Sequence, residues 1–489
     1  MKLSKNLAEN LKLLKNKITT DDADFIEIMI GDKKGAIIFI NTLVNKDYIG
    51  ELILKPTKEL SGNLSEQQIF EAFLSPEKKL KETIDDVVDE VVSGNCVVLA
   101  DKIDKAFCFE AKFFQTRSIS EPPTSTVIKG PREGFVESLP LNVNLLRKKL
   151  KTPDLIIKNL KVGKYSNTAI SICYINSIVD ENLVKVVEKK LKKIDTDAIL
   201  DSSYISKFLG NKNTALFKQI GNTEKPDILA GKILEGRVAI LVDGSPIALT
   251  CPYLLLEDFQ SPSDYYSSSY SATFSRILRL LAVMISVLLP AFFVSAELYH
   301  IQLIPLSFLL TVVNSIKGIP LSPGYEIFFT LFIFEILNEA SVRMPKYVGM
   351  VVSIVGGLVL GETAVSAGII SAPTLMIVAL SGICLYTVPE LLQSFSIVRL
   401  LMLLVSATFG VYGILLTAGM FTIYLVTFES FNTPICAPFS PIVLKDFKDG
   451  IYKGFLPEME DRPYSIKNKN RKRIGLTKND KLDKGGINE

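Results

Sequence analysis

Polar and apolar positions are distributed differently in the two halves of the chain. Charges recur throughout residues 1–275 and then nearly stop. Residues 277–298 read ILRLLAVMISVLLPAFFVSAEL, with no charge between Arg279 and Glu297. At about 1.5 Å per helical residue, such a run is of the length that crosses a hydrocarbon layer of roughly 30 Å. Further apolar runs at 301–316, 324–342, 347–371, 373–389 and 397–428 predict an all-α polytopic membrane domain over 276–430, with four to six spans. Pro305, Pro320 and the glycine-rich run 347–371 mark candidate re-entrant segments. Arg276 and Arg279 before the first run, and the basic KNKNRKR at 467–473, read as inside-facing flanks. Both ends inside requires an even number of crossings.

The charged half carries shorter periods. Residues 1–19 place Leu3, Leu7, Leu11, Leu14 and Ile18 among lysines, which predicts an amphipathic helix and not the continuous apolar core of a signal peptide. IIFINTLVNKDYI (37–49) resembles ICYINSIVDENLV (172–184), and VVSGNCVVLADK (91–102) parallels ILEGRVAILVDG (233–244). Each member of the second pair reads as a helix end, a glycine suited to positive φ, a strand and an acidic turn. The pattern predicts two similar α/β subdomains, 20–115 and 140–256. A Pro/Gly/Ser-rich linker (116–139) joins them and a pre-membrane segment (257–275) follows. A basic, partly disordered tail (431–489) closes the chain. Leu80, Ile84, Val87, Val88 and Val91 fit one face of a helix over 77–92, and Leu183, Val184, Val187, Leu191 and Ile194 fit one over 181–195.

Composition narrows the chemistry. With 489 residues the chain holds more than one domain, and its net charge of +3 gives no nucleic-acid footprint. The single histidine, His300, excludes a histidine metal pair and leaves none to spare for a triad. The six cysteines show no C-x-x-C spacing, and no phosphate-binding glycine loop occurs. The expectation is a non-enzyme with no catalytic residue, no metal and no cofactor. A mean hydropathy of +0.30 beside 22% charged residues restates the segregation of charge along the chain.

Chemistry concentrates in the apolar half. Glu335, Glu339 and Arg343 are spaced four apart on one helical face, with Glu339 placed to pair with Arg343. Ionisable groups within a span face a bundle interior or water, so they read as an ion path or gate, or else as an interfacial anchor or structural pair. Gly349, Ser353, Gly357 and Gly361 form a small-residue stripe, read either as close helix packing or as a pore-lining segment, with Glu362 beside it.

TRSISEPPTSTVIKGPREGFVES (116–138) with NVNLLRKKL (142–150) resembles the signature of the GerA-type spore-germination receptor A subunits. Matches continue in order through TEKPDILAGKILEGRVAILVDGSP (223–246), DYYSSSYSATFSRILRLL (264–281), EILNEASVRMP (335–345), VGMVVSIVGGLVLGETAVSAGIIS (348–371) and PICAPFSP (434–441). The resemblance implies a multi-pass protein of the spore inner membrane with its N-terminal half in the spore core. It implies partners as well: membrane lipid, a permease-like B subunit, a lipoprotein C subunit and further copies of itself, as a pentamer. It implies an ion channel that opens when a nutrient germinant is sensed. A secondary transporter or a non-conducting scaffold are the other functional classes. Arg132 and Glu133 in the linker stand as candidates for coupling the two subdomains.

Overall fold

The computed structural model describes residues 1–473 apart from 63, 74, 76, 113–129, 211–214, 346, 347, 350–356, 358 and 360. Its first half is a duplicated unit. In unit 1, helix α1 (Leu7–Lys17) leads into strands β1 (Ala23–Ile30) and β2 (Lys33–Ile40). Short helices α2 (Lys46–Ile49), α3 (Lys55–Glu59) and α4 (Glu66–Ala72) follow, then β3 (Lys78–Lys81), α5 (Ile84–Val92), β4 (Asn95–Ala100) and β5 (Ala106–Glu110). Unit 2 repeats the plan with α6 (Leu139–Lys149), β6 (Leu155–Val162), β7 (Thr168–Ile175), α7 (Glu181–Lys192), α8 (Ser202–Leu209), β8 (Gly221–Thr223), α9 (Pro226–Leu234), β9 (Val238–Val242) and β10 (Ala248–Cys251). The sheets are wholly antiparallel, with orders β1-β2-β4-β5-β3 and β6-β7-β9-β10-β8.

The repeat extends to details. Asn10 brackets the backbone of Ser4 with its amide, and Asn142 does the same to Val136. The Leu7 amide donates to Asp101 and the Leu139 amide to Asp243. Helix α1 thus packs into the core of unit 1, as the counterpart of α6, through Leu7 and Leu14. Gly94 and Gly236 end their helices at φ +89° and +103°, as the spacing predicts. One expectation fails. Residues 78–81 form strand β3 on β5, and the helix begins only at Ile84, because the Thr83 hydroxyl accepts from the Asp86 amide and caps it there. Leu80 accordingly lies on a strand and is exposed.

A short turn helix, α10 (Pro262–Tyr266), joins unit 2 to the helical half. That half comprises α11 (Ser269–Tyr299), α12 (Leu306–Ile316), α13 (Pro323–Arg343), α14 (Gly361–Ser366), α15 (Ala372–Leu385) and α16 (Leu392–Val426). Two segments, Ser269–Tyr299 and Pro389–Val426, are long and apolar enough to cross a membrane. Helix α16 is broken at Gly410, whose φ of +61° and ψ of −143° no helix contains. The Tyr299 hydroxyl lies 2.9 Å from the Ala407 carbonyl and 3.0 Å from that of Thr408, acceptors just before the break. The chain then makes a small β11–β12 pair (Glu429–Ser430, Thr433–Pro434) and returns to unit 2. There the Lys469 amide donates to the Ile178 carbonyl, and Asn468 bridges Val179 as Lys112 bridges Val44 in unit 1. The tail therefore supplies an edge contact that unit 1 makes from its own sequence.

Candidate functional site

The two halves meet through charge. The loop after α8 carries Phe217 into the helical half, with ring centroids 5.4 Å from Phe395 and 5.8 Å from Phe421. Beside it the Leu216 amide donates to the Tyr424 hydroxyl (2.9 Å), and the Ser394 hydroxyl donates to the Leu216 carbonyl (2.7 Å). Lys218 Nζ then spans the two halves, 2.8 Å from Asp258 Oδ1 and 2.9 Å from Glu390 Oε2, just before α16. Tyr253 donates to the other Asp258 oxygen at 2.6 Å. Burial pushes the Asp258 carboxyl up to about 6, against the pull of Lys218. Next to it Glu257 meets Arg237 and Lys232. Burial alone would raise Glu257, but these two cations hold it below its ordinary value. Lys232, Arg237, Glu257, Asp258 and Glu390 line a cavity of about 500 Å³ between unit 2, α10 and the helix ends.

The anchor of α11 lies nearby. Asp264 caps α10 and takes Arg279 Nη1 at 2.7 Å and Arg276 Nε at 3.4 Å, while Arg276 Nη1 also reaches Asp449 of the tail at 3.2 Å. The two arginines that flank the first apolar run are therefore engaged in ion pairs, and Arg276 is buried.

Inside the helical half, Arg399 of α16 is buried between three helices. It pairs with Glu335 of α13 and donates to Ser381 of α15 (2.8 Å), whose hydroxyl in turn donates to the Ser286 carbonyl of α11 (2.8 Å). Ser396 also donates to Glu335 (2.8 Å). At the ends of α11 and α13 far from unit 2 lie two more carboxylates, Glu297 and Glu326. Glu326 accepts the Ser371 amide at the start of α15 (2.6 Å), yet three of the four carboxylate oxygens have no partner among the described residues.

The sequence has relatives among known proteins. The profile described as Bacillus/Clostridium GerA spore germination protein matches residues 9–465. The chain belongs to the GerA family. Spore germination protein KA of Bacillus subtilis is 36% identical over 483 residues, covering 97% of this chain and 89% of that one. Spore germination protein GerQA of Bacillus cereus is 34% identical, covering 96% and 94%. The uncharacterized membrane protein YfkQ of Bacillus subtilis is 34% identical over 455 residues. The crystallised N-terminal domain of the A subunit of the Bacillus megaterium spore germinant receptor GerK3 aligns with 52% of this chain and 98% of its own, at 27% identity and a TM-score of 0.41. With its apolar helices, this GerA-family chain is a membrane protein.

The residues singled out from the sequence are dispersed. Glu339 and Arg343 do pair, Nε to Oε1 at 2.7 Å, but their side chains are 64% and 77% exposed within the chain. Glu335 parts from them and turns inward to Arg399. In the stripe, a Cβ on Gly349 would sit 2.6 Å from the Ser341 carbonyl and one on Gly361 3.2 Å from Leu375, while one on Gly357 meets nothing within 4 Å. Ser353 lies outside the described residues. Glu362 is exposed in the first turn of α14. Of the linker, residues 113–129 lie outside the described residues; Glu133 pairs with Lys149 at 2.7 Å on unit 2 itself. Beside Arg132, the buried Lys225 ammonium holds the Pro131 carbonyl at 2.7 Å. Sequence reasoning missed Lys218, Asp258, Glu297, Glu326 and Arg399 as site residues. For the last three the signal was present, since a charge within or at the end of an apolar run is costly without a use.

Proposed function

We propose that this GerA-family chain is the A subunit of a germinant receptor in the spore inner membrane. It joins permease-like B and lipoprotein C subunits and further copies of itself, and it releases ions when a nutrient is sensed. The observation that carries the ion-release reading is the set of buried, unpartnered carboxylate oxygens on Glu297 and Glu326. Buried carboxylate oxygens without donors in an apolar bundle repel one another and are neutralised only by a proton or a cation. The Arg399–Glu335 pair adds a charged contact across three helices. The orientation reading is supported by the tail: residues 462–473 pack on unit 2, so the intervening chain leaves and returns to one side, with the duplicated units facing the spore core. The Lys218 bridge gives unit 2 a direct hold on the start of α16. Purified protein in a planar bilayer should pass discrete cation currents, and Glu297→Gln with Glu326→Gln should change their amplitude or selectivity. A bilayer that stays silent with correctly folded protein removes the channel reading and leaves the transporter or the scaffold.

A further inference from the structure

The two units are joined by an interface whose halves recur a second time, on α1 and β1 of unit 1 and at residues 152–154 of unit 2. Within the chain, residues 20–22 of unit 1 cover the free edge of sheet 2. The Asp21 amide donates to the Ile157 carbonyl at 3.0 Å, the Ile157 amide to Thr20 Oγ1 at 3.1 Å, and the Asn159 amide to Asp21 Oδ2 at 3.0 Å. Helix α6 closes the contact. Arg147 forks onto Asp22 (Nε–Oδ2 2.7 Å, Nη2–Oδ1 2.6 Å), both side chains almost wholly buried. Asn144 donates to the Thr42 carbonyl at 2.6 Å, and the Thr42 hydroxyl donates to Asp22 at 3.1 Å.

The repeat supplies the same parts at the other two ends. Asp154 stands where Asp22 does: the Asn176 amide bonds its carbonyl as the Asn41 amide bonds that of Asp22, and the Ser177 hydroxyl bonds its carboxylate at 2.8 Å as Thr42 does. Thr152 stands for Thr20. On α1, Lys15 stands for Arg147 and Lys12 for Asn144. Lys12, Lys15 and Asp154 are exposed, and none forms an ion pair among the described residues. The edge strands differ accordingly. Leu155, Ile156 and Ile157 at the start of β6 are buried, whereas Ala23, Asp24 and Phe25 of β1 are half-exposed and Ile26 and Met29 stand out in solvent. By register, the backbone groups of Phe25 and Glu27 point off this open edge. An uncovered edge strand with apolar side chains is a template for another chain.

We infer that a second copy of this chain docks there, with its unit 2 end at Thr152–Asp154 covering β1 and α1 of unit 1, in a head-to-tail repetition of the internal joint. It rests on the reading of the chain as a self-assembling subunit and names the surface involved. The contact is heterologous, so it closes into a ring when its rotation allows. Charge fits: Lys12 and Lys15 bring cations to the Asp154 carboxylate. The one departure fits as well. Pro153 replaces Asp21 and donates no backbone hydrogen bond, but it also removes a carboxylate that would face Glu27, where unit 2 offers the neutral Asn159. Thr152 and the lysine–aspartate contacts carry the joint.

The test uses full-length protein in membranes, expressed as two differently tagged versions, one carrying Glu27→Cys and the other Pro153→Cys, with a short bismaleimide. Four native cysteines are buried, and each single-cysteine version alone controls for Cys384 and Cys436. The expected result is a product bearing both tags. Lys15→Glu or Asp154→Lys alone should lower it several-fold, and the two reversals together should restore it. Indifference to charge reversal overturns the inference. So does the lack of a doubly tagged product from protein that an amine cross-linker still joins into multimers, which leaves self-assembly standing. If no cross-linker yields multimers, self-assembly itself falls with the surface.

Discussion

Lys218 and Glu390 are 172 positions apart in sequence, yet their charged atoms lie 2.9 Å apart just before α16 starts. Lys218 also holds Asp258, so one ammonium bridges the pre-membrane segment and the helix entry. Removing it strands two carboxylates, one of them buried, and breaking a buried pair from one side typically costs about 3–5 kcal/mol. Lys218→Ala should lower thermal stability in detergent markedly. Glu390→Gln, which removes the more exposed partner, should cost about 1 kcal/mol or less and instead weaken the response of spores to nutrient. A normal response with normal protein level in Glu390→Gln would detach this contact from signalling.

Asp258 gives the junction a pH dependence of known sign. Its folded value of about 6 lies above the usual 3.8, so the folded protein holds this proton more tightly than the unfolded chain. Stability from this group is therefore greatest below about pH 4, declines as pH rises through about 6, and stays low above it; the full difference is roughly 3 kcal/mol. Asp258→Asn should flatten this component. The check is the difference between wild-type and variant melting temperatures at pH 4.5, 5.5 and 6.5.

Arg399 and Glu335 are a second place where truncation and neutralisation separate. Arg399→Ala leaves Glu335 with only Ser396 inside the bundle, and a loss of about 3–5 kcal/mol is expected. The pair replaced together by Met and Leu should recover most of it, since an apolar filling of similar volume often equals a buried ion pair. Recovery of stability without recovery of the germination response would assign the charges to function.

The glycines rank differently from their spacing in sequence. Gly357→Ala should leave the stability of the single subunit nearly unchanged, because nothing lies within 4 Å of the added carbon among the described residues. Gly410→Ala should cost about 1–3 kcal/mol, because its backbone conformation suits glycine alone and its new Cβ would sit 3.0 Å from the Tyr299 ring. Chemical denaturation of the two variants in detergent orders them.

The duplicated α/β plan and the apolar helices were legible because they rest on local period and on repetition. The equivalence of α1 and α6 was also written in the chain, as Asn10-Leu11-Lys12-Leu13-Leu14-Lys15 beside Asn142-Val143-Asn144-Leu145-Leu146-Arg147, but it lies upstream of the segments whose strands repeat most clearly. Strand β3 read as helix because Leu80 lies four before Ile84, and only the Thr83 cap separates them. Lys218 and Asp258 carried no signal. Each is an ordinary surface residue type whose importance comes from contacts between separate elements, the one between Lys218 and Glu390 across 172 positions.

The tail that bridges Val179 has a consequence for biosynthesis. Unit 1 contains everything its sheet needs and is complete early in translation. Unit 2 is translated in full well before its last contact, at Asn468 and Lys469, which emerges only after every helix of the apolar half. Closure of unit 2 thus waits on the whole of the apolar half. A subunit interrupted within its helices would display a second unit without its edge contact.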